Sequence, residues 1–271
     1  MKTKKYNVEV FDRDAKEHGG YLYYSEDKLS SRLANKSILN GMAQVYDFQN
    51  KILLEFGCGD GTSGLDMLSL GAAFVRGVDA AHGAIVVATK KAKTLGVSEK
   101  CLFSVGDLYT ENFDRKYDCV VFNKVLHHLP DPAKAIAKAA QWSDNILIIE
   151  PNGNNPILKI IEKTSRYHRE HEEQSFSSRL IRQWCKTAGF EITVKALFVN
   201  LVPMFCSDWM ARLCKFMEPV IESLPIIRNI CCGQYIILAT KANVVEAKQG
   251  RKLSLPCWQY NRRRNKIRAR S

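Results

Sequence analysis

An acidic residue followed by three alternating glycines is the segment of the chain best suited to chemistry. The apolar run 52–54 leads into the sequence EFGCGDG, which begins at Glu55 and ends at Gly61. Glycine permits a sharp turn and lets backbone amides approach a ligand closely, because it has no Cβ. Residues 62–70 are predicted to form a helix whose first amides point back toward that ligand. The segment therefore predicts a binding site for a charged small molecule.

The spacing of the glycines separates two classes of ligand. A dinucleotide fingerprint has the form G-x-G-x-x-G, which would place its third glycine at position 62. Position 62 is Thr62, and the third glycine is Gly61. The Glu55 carboxylate would repel a pyrophosphate but would attract an ammonium or sulfonium group. The pattern favours a cationic ligand, although one glycine-rich loop does not identify it.

Two further short apolar segments are each followed by an acid. The segment 73–79 is predicted to be a strand that ends at Asp79. Asp79 lies about 20 residues after the glycine loop, the usual distance for an acid that binds ribose hydroxyls. The segment 101–105 is predicted to be a strand, and Asp107 and Leu108 follow it. Both acids would extend the site along the same edge of a sheet.

Two more strands lead into polar residues. The predicted strand 117–122 runs into Asn123 and then into the sequence VLHHLPDP at 125–132. The predicted strand 145–149 ends at Glu150.

Helices are predicted at about 62–70, 82–95 and 132–142, and the last begins with Asp131 as N-cap and Pro132 at the first helical position. Strands that alternate with helical segments in this way predict a parallel, doubly wound sheet.

These segments, in this order, resemble the motifs of the class I S-adenosylmethionine-dependent methyltransferases that act on small molecules. The likeness is firm over 45–155 and looser to about 240. It implies a Rossmann-like α/β fold with a doubly wound, mostly parallel seven-stranded sheet. It also implies an N-terminal helical cap, a helical insertion before the last strand, and S-adenosylmethionine as the cofactor.

The resemblance also implies a role for individual residues. Glu55 and the backbone of 57–59 would hold the methionine part of the cofactor, and Asp79 would hold the ribose. Asp107 would accept from the adenine amino group, with Leu108 packed on the ring, and the Asn123 carbonyl would lie near the sulfonium. The full set predicted to bind the cofactor is Glu55, Gly57, Cys58, Gly59, Gly61, Asp79, Ala80, Asp107, Leu108 and Asn123.

Two adjacent histidines, His127 and His128, are the candidate catalytic residues. A hydroxyl acceptor needs a base and an amine acceptor must be neutral when it attacks, and histidine suits both tasks near pH 7. Neighbours on a helix point about 100° apart, so we expect at most one of the two to face the acceptor. His127 is slightly favoured; the alternative is that one of them is a buried polar residue bonded to the backbone.

No metal site is predicted. Related quinone O-methyltransferases hold a divalent metal with two acids and a histidine, but the positions that match those acids are Lys124 and His127 here. A lysine ammonium would repel a cation. His168 and His171 could share a helix face, but no convincing third ligand accompanies them.

Composition limits the class of protein. With 271 residues, of which 46% are hydrophobic, the chain can bury one good core. No apolar run reaches the ~18 residues of a membrane span, and 1–24 has no apolar signal-peptide segment. The nine cysteines show no C-x-x-C spacing, which predicts reduced thiols and a cytoplasmic protein, or one bound peripherally to a membrane.

Basic charge is concentrated at the end of the chain. The net charge is +12, and nine basic residues with no acid lie in 248–271. We expect a cap at 1–50, a cofactor-binding domain at 51–240 and a disordered tail at 241–271. The tail could meet an anionic membrane surface or RNA, or have no fixed partner.

The acceptor pocket is expected to be walled by aromatic and helical segments. Tyr21, Tyr23 and Tyr24 could form one wall or pack the cap onto the sheet. The region 157–232 is predicted to form the rest, as an acceptor pocket or lid. Within it, 200–232 is rich in apolar residues and is predicted to be helical, as a lid or as a membrane-surface element.

Three hypotheses of function follow. The first is methyl transfer to oxygen or nitrogen of a small-molecule, lipid or sugar-intermediate acceptor. The second is an RNA methyltransferase that grips phosphates with its tail, although 123–126 is not the Asn/Asp-Pro-Pro-aromatic box of exocyclic-amine enzymes. The third is a module that binds the cofactor, or a partner, without chemistry.

Overall fold

The computed structural model describes residues 5–24, 27–165, 174–204 and 206–242. The predicted tail beyond Ala242, together with His168 and His171, therefore lies outside the described residues. Within them, no helix is long and apolar enough to cross a membrane.

Seven strands form one sheet in the order 3-2-1-4-5-7-6, and only β7 runs against its neighbours. This arrangement confirms the predicted doubly wound, mostly parallel sheet. The order reverses between β1 and β4, where sheets of this kind bind ligands. The strands are β1 Ile52–Phe56, β2 Phe74–Asp79, β3 Cys101–Val105, β4 Cys119–Asn123, β5 Asn145–Pro151, β6 Phe190–Val199 and β7 Gln234–Lys241.

Helices cover both faces of the sheet. One face packs against α2, α3 and α4 through a core that includes Met42, Met67 and Ala88. The other packs against α5 and α7 through Ile136 and Ile181. The helices are α1 Lys5–His18, α2 Leu29–Val45, α3 Thr62–Ser69, α4 His82–Thr94, α5 Pro132–Ala139, α6 Pro156–Thr164, α7 Ser178–Thr187, α8 Asp208–Ser223 and α9 Pro225–Cys231.

Local sequence explains where the helices next to the site begin. Asp131 caps α5 by accepting the Lys134 amide at 2.9 Å, and Pro132 occupies the first helical position, as predicted. The Asn155 side chain caps α6 by accepting the Ile157 amide at 2.9 Å. Both caps fix the start of a segment that leaves the carboxyl edge of the sheet.

Several element boundaries differ from the prediction, by one to three residues. Helix α5 ends at Ala139 rather than at residue 142, because the chain turns back there and the Tyr117 amide donates to the Trp142 carbonyl at 2.8 Å. The sequence predicts a helical cap at 1–50 but not the ends of α1.

Helix α1 is held against α4 by Asp12, whose carboxylate accepts the Gly83 amide.

Candidate functional site

A cavity of about 1030 Å³ lies at the carboxyl edge of the parallel strands. Ligand cavities in proteins are typically of this size or smaller. The cavity gathers side chains that are far apart in sequence, because the ends of parallel strands meet at one edge. The predicted site residues that line it are Glu55, Gly57, Cys58, Gly59, Asp79, Ala80, Asp107, Leu108, Asn123, His127 and His128.

Gly61 is the predicted site residue that does not line the cavity. It is the N-cap of α3, with φ at 77°. A Cβ built there would lie 2.7 Å from the Ala88 Cβ on α4. Gly61 is therefore needed for a left-handed turn and for close packing of two helices, and the structure does not place it in the cavity wall.

The first two glycines of the loop shape the cavity. Gly57 and Gly59 have φ of 68° and 51°, in the left-handed region that side chains rarely adopt. A Cβ at Gly57 would overlap Val125 Cγ2, and a Cβ at Gly59 would overlap Tyr21 Cε2. The loop thus needs glycine both for its turn and for its fit between the turn after β4 and the N-terminal cap.

Glu55 is a buried acid whose carboxyl group is not satisfied by hydrogen bonds of normal geometry among the described residues. Its side chain is 1% exposed, and neither carboxylate oxygen has a hydrogen-bond partner of normal geometry among the described residues. Burial raises the pKa of Glu55 to about 8, partly offset by the lowering effect of the Ser63 hydroxyl. A buried, unsatisfied carboxylate in a cavity suits a ligand that brings positive charge and hydrogen-bond donors.

Asp79 ties the end of β2 to the glycine loop. Its two carboxylate oxygens accept the Gly59 and Ala81 amides, both at 2.8 Å. Burial raises the pKa of the Asp79 carboxyl, whereas these amides lower it. A carboxylate has about four acceptor positions, so Asp79 retains capacity for two hydroxyl donors while it holds the loop.

A histidine and a glutamate form a buried pair at the cavity wall. His127 Nδ1 lies 2.7 Å from Glu150 Oε2. The other oxygen, Oε1, accepts the Val125 and Leu126 amides at 2.9 and 2.8 Å. Glu150 thereby fixes both the imidazole ring and the turn that carries it. A histidine held in this way can exchange a proton at its second nitrogen, Nε2.

Glu150 pairs with His127 in the structure but is not among the site residues predicted from the sequence. The sequence pattern places it only at the end of the strand 145–149. The signal that could have identified it is topological, since β4 and β5 are parallel neighbours whose ends lie at the same edge. A carboxylate at the end of β5 must then approach the turn 126–128 that follows β4.

The two histidines lie in a single 3-10 turn, Leu126–His128, rather than in an α-helix. Both line the cavity, and their ring centroids are 3.9 Å apart. His128 also contacts Phe11 edge to face, with 4.9 Å between ring centroids. Which of the two faces an acceptor stays a prediction.

Aromatic residues of the N-terminal cap also line the cavity. Tyr21, Tyr23 and Tyr24 all line the cavity. The Tyr21 amide donates to Asp60 at 2.9 Å, which anchors the cap to the glycine loop. Lys124 Nζ lies 4.3 Å from the centroid of the Tyr24 ring, and burial lowers the pKa of this amine to about 8.

The described residues contain no group of three or more His, Cys, Asp or Glu side chains that could hold a metal ion. The wall contributed by the predicted lid region is largely apolar. Leu158 and Ile161 of α6, Val202 of the segment before α8, and Ile230 of α9 line it.

Known proteins share this sequence pattern and this fold. The sequence matches the family described as methyltransferase domain over residues 21–195. It is 31% identical, over 164 residues, to a ubiquinone biosynthesis O-methyltransferase of Neisseria meningitidis, covering 54% of this chain and 66% of that protein. It is 25% identical, over 146 residues, to a ribosomal protein L11 methyltransferase of Haemophilus influenzae, covering 53% and 46% of the two chains.

The chain spans less than two thirds of the length of these curated relatives. Among solved structures, it is similar to a magnesium protoporphyrin IX methyltransferase from Synechocystis with bound S-adenosylhomocysteine. The TM-score is 0.60 at 16% identity, and the match covers 88% of this chain and 96% of that one. This likeness establishes a shared fold.

Proposed function

The chain belongs to the methyltransferase domain family, and on that premise we propose that it transfers a methyl group from S-adenosylmethionine to another molecule. The proposed acceptor atom is oxygen or nitrogen of a small molecule, a lipid or a sugar intermediate. One observation carries the proposal, namely the Glu55 carboxyl group beside the glycine loop, which is buried and has no hydrogen-bond partner of normal geometry among the described residues. A cationic, amine-bearing nucleoside would supply the missing charge and donors.

The cavity wall offers a place for each part of the cofactor. Glu55 and the loop amides would hold the methionine amine and carboxylate, and Asp79, with Ala80 beside it, would hold the ribose hydroxyls. Asp107 and Leu108 would hold the adenine, and the Asn123 carbonyl would face the sulfonium. When bound, the cofactor supplies an activated methyl group on sulfur. The chain's own contribution is to orient the acceptor and to exclude water.

His127 is the proposed base. Glu150 holds its Nδ1 at 2.7 Å, which would stabilise the protonated ring after it takes a proton from a hydroxyl acceptor. For an amine acceptor, the same ring would remove the proton that the amine loses when its nitrogen is methylated. Glu150 acts through His127 and is therefore a positioning residue.

The acceptor class rests on the cavity and on the relatives. The wall contributed by α6, α9 and the segment before α8 is largely apolar, which favours an acceptor with an apolar body. The relative named as a ubiquinone biosynthesis O-methyltransferase supports an oxygen acceptor. Another relative is named as a ribosomal protein methyltransferase. Methylation of a macromolecule is therefore one of the outcomes that the test must distinguish.

We further propose the organisation expected from the sequence, with a cap at 1–50, a catalytic domain at 51–240 and a basic tail from 241. A cytoplasmic location is part of the same proposal.

The test is to incubate the chain and its His127→Gln variant with cofactor labelled in the methyl group and an extract of the source cell. A labelled small molecule or lipid that appears only with the unchanged chain supports the proposal. Labelled RNA would instead support the RNA hypothesis. If the cofactor binds and no product is labelled, the chain is a binding module.

A further inference from the structure

Helix α8 turns an apolar face outward. Trp209, Leu213, Phe216 and Val220 lie at intervals of four, three and four residues, which places them on one side of the helix. Phe216 is 83% exposed and Trp209 is 65% exposed. A helix on the surface of a soluble protein normally places such a stripe against the core, so this face calls for an explanation.

The inward face of α8 combines a small apolar contact, in which Ala211 packs against Ala34 and Val202, with a polar network. Glu218 is buried, and its Oε1 accepts a hydrogen bond from the Ser37 hydroxyl at 2.8 Å. Lys215 pairs with Glu218 and donates to the Ser37 oxygen at 2.6 Å. The second Glu218 oxygen accepts the Leu201 amide at 3.2 Å. This network fixes the rotation of α8 about its axis, so the outward position of the apolar stripe is built into the fold.

The apolar surface continues to the rim of the cavity. On α9, Ile226 is 78% exposed, and Ile230 is both exposed and part of the cavity wall. On α6, Ile157 is likewise both exposed and part of that wall. The two helices are joined where Asn155, the N-cap of α6, donates to the Cys231 carbonyl at 3.2 Å. Exposed apolar residues of α6 and α9 therefore extend to the wall of the cavity.

We propose that this face docks onto the surface of a bilayer that contains anionic lipid, and that the acceptor enters the cavity from the bilayer. The docking face consists of Ile157, Trp209, Leu213, Phe216, Val220 and Ile226. Aromatic and aliphatic residues on one side of a surface helix are suited to the boundary between headgroups and acyl chains. The entry of the acceptor rests on the proposed methyl transfer, whereas the docking does not.

Two observations favour a bilayer over a second protein. The docking face meets the cavity wall at Ile157, so a protein seated there would cover part of the entrance, whereas a bilayer would supply the acceptor. The segment 248–271 carries nine basic residues and no acid, which complements an anionic lipid surface.

The basic segment can reach the docking side. Strand β7 starts beside the cavity at Gln234 and ends at the opposite edge of the sheet, about 26 Å away at ~3.3 Å per residue. The arginine run at 262–264 follows Ala242 by about 20 residues, a reach of up to roughly 66 Å. The tail is therefore long enough to contact the same lipid surface.

The experiment is cosedimentation of the full chain with vesicles of phosphatidylcholine, with and without phosphatidylserine. We expect binding that is stronger with phosphatidylserine and weaker in salt. The double variant Phe216→Glu/Ile226→Glu should bind vesicles at least about tenfold more weakly, since each large side chain gives up its burial in lipid. Leu95→Glu is the matched control, because Leu95 is 63% exposed outside the docking face and its replacement should leave binding unchanged.

A second variant separates charge from apolar contact. Arg262→Gln/Arg263→Gln/Arg264→Gln should lose most of the preference for phosphatidylserine but keep the dependence on Phe216 and Ile226. Calorimetric binding of S-adenosylmethionine, measured on the same variants, should be unchanged. If vesicles bind but the cofactor does not, the docking stands and the proposed function fails.

The proposal is overturned if the full chain does not sediment with either vesicle, or if the Phe216→Glu/Ile226→Glu variant binds as well as the Leu95→Glu control. It is also overturned if sedimentation equilibrium without lipid shows a dimer that the double variant dissociates. In that case the occupant of the face is a second copy of the chain.

Discussion

His127 Nδ1 and Glu150 Oε2 lie 2.7 Å apart, and this contact joins the turn after β4 to the end of β5. Both side chains are buried. The pair holds one imidazole in a fixed orientation at the wall of the cavity, whereas the adjacent His128 packs against Phe11. The two histidines therefore have different surroundings, and their substitution should have different effects.

Replacing His127 by Gln should lower kcat by about 10²–10⁴, the usual contribution of a general base, and should leave cofactor affinity unchanged. His128→Gln is the neighbouring control and should cost much less. Glu150→Gln should keep the backbone contacts of Oε1 and alter the pH profile of kcat, because the protonated ring loses its ionised partner. If His128→Gln lowers kcat more than His127→Gln does, then His128 is the base and the assignment to His127 is wrong.

Cofactor binding should release a proton from Glu55. Burial raises the pKa of this carboxyl to about 8 in the free protein, so near neutral pH much of it is protonated. A bound cation favours the ionised form, and the proton must then leave. Calorimetry in two buffers with different ionisation enthalpies measures this release near pH 7. The Glu55→Gln variant should release fewer protons and bind more weakly; equal release by both proteins would contradict the role of Glu55.

The stability of the ligand-free protein should also depend on Glu55. The pKa of this group is raised from 4.5 to about 8 on folding, so the folded state binds more protons than the unfolded state between those values. Its contribution to stability is therefore fully present below pH 4.5 and is lost as pH rises through about 8.

Denaturant unfolding of the wild-type chain and of Glu55→Gln, at several pH values, checks this sign. The glutamine variant has no charge to bury, so its free energy of unfolding should rise relative to wild type as pH increases across the window. If the unfolding free energies of wild type and Glu55→Gln change in parallel from pH 4.5 to about 8, the pKa of Glu55 is not raised by folding.

The glycine loop offers a matched pair of substitutions. Gly59 and Gly96 both have positive φ, at 51° and 66°. A Cβ at Gly59 would overlap Tyr21, whereas a Cβ at Gly96 meets no atom within 4 Å. Each Ala variant should lose about 1–2 kcal/mol of stability from backbone strain. Only Gly59→Ala should also lose cofactor affinity, by tenfold or more, because it displaces the cap from the cavity wall.

The double variant Gly59→Ala/Tyr21→Ala tests the same contact from the other side. Removing the Tyr21 ring should recover the part of the stability loss that comes from the overlap, leaving the backbone strain. Unfolding free energies for the single and double variants give this coupling. If the stability losses of the two single variants add in the double variant, the Tyr21 ring does not restrict the residue at position 59.

Local patterns in the sequence predicted the strands and the residues at their ends well. Runs such as 52–56 and 101–105 are short, apolar and followed by a polar turn, so both the strand and its end can be located. Asp79 and Asp107, which line the cavity, could be located at strand ends for the same reason. The Asp131-Pro132 pair predicted the start of α5, because capping depends on adjacent residues only.

Features that depend on contacts between distant segments were not predictable in this way. Gly61 looked like a ligand-binding glycine, but its constraint comes from Ala88 on another helix. The partnership of His127 with Glu150 depends on which strands are neighbours in the sheet. The outward apolar face of α8 follows from the Ser37–Glu218 contact across 181 residues, which no local period reveals.

The central claim is that Glu55 and the glycine loop form a site for a positively charged sulfur nucleoside. Isothermal titration of the full chain with S-adenosylmethionine, and separately with a nicotinamide dinucleotide, tests it most directly. The account predicts saturable heat with the sulfonium compound, none with the dinucleotide, and at least about tenfold weaker sulfonium binding in Glu55→Gln, since a buried charge pair is lost. Binding of the dinucleotide but not of S-adenosylmethionine would contradict it.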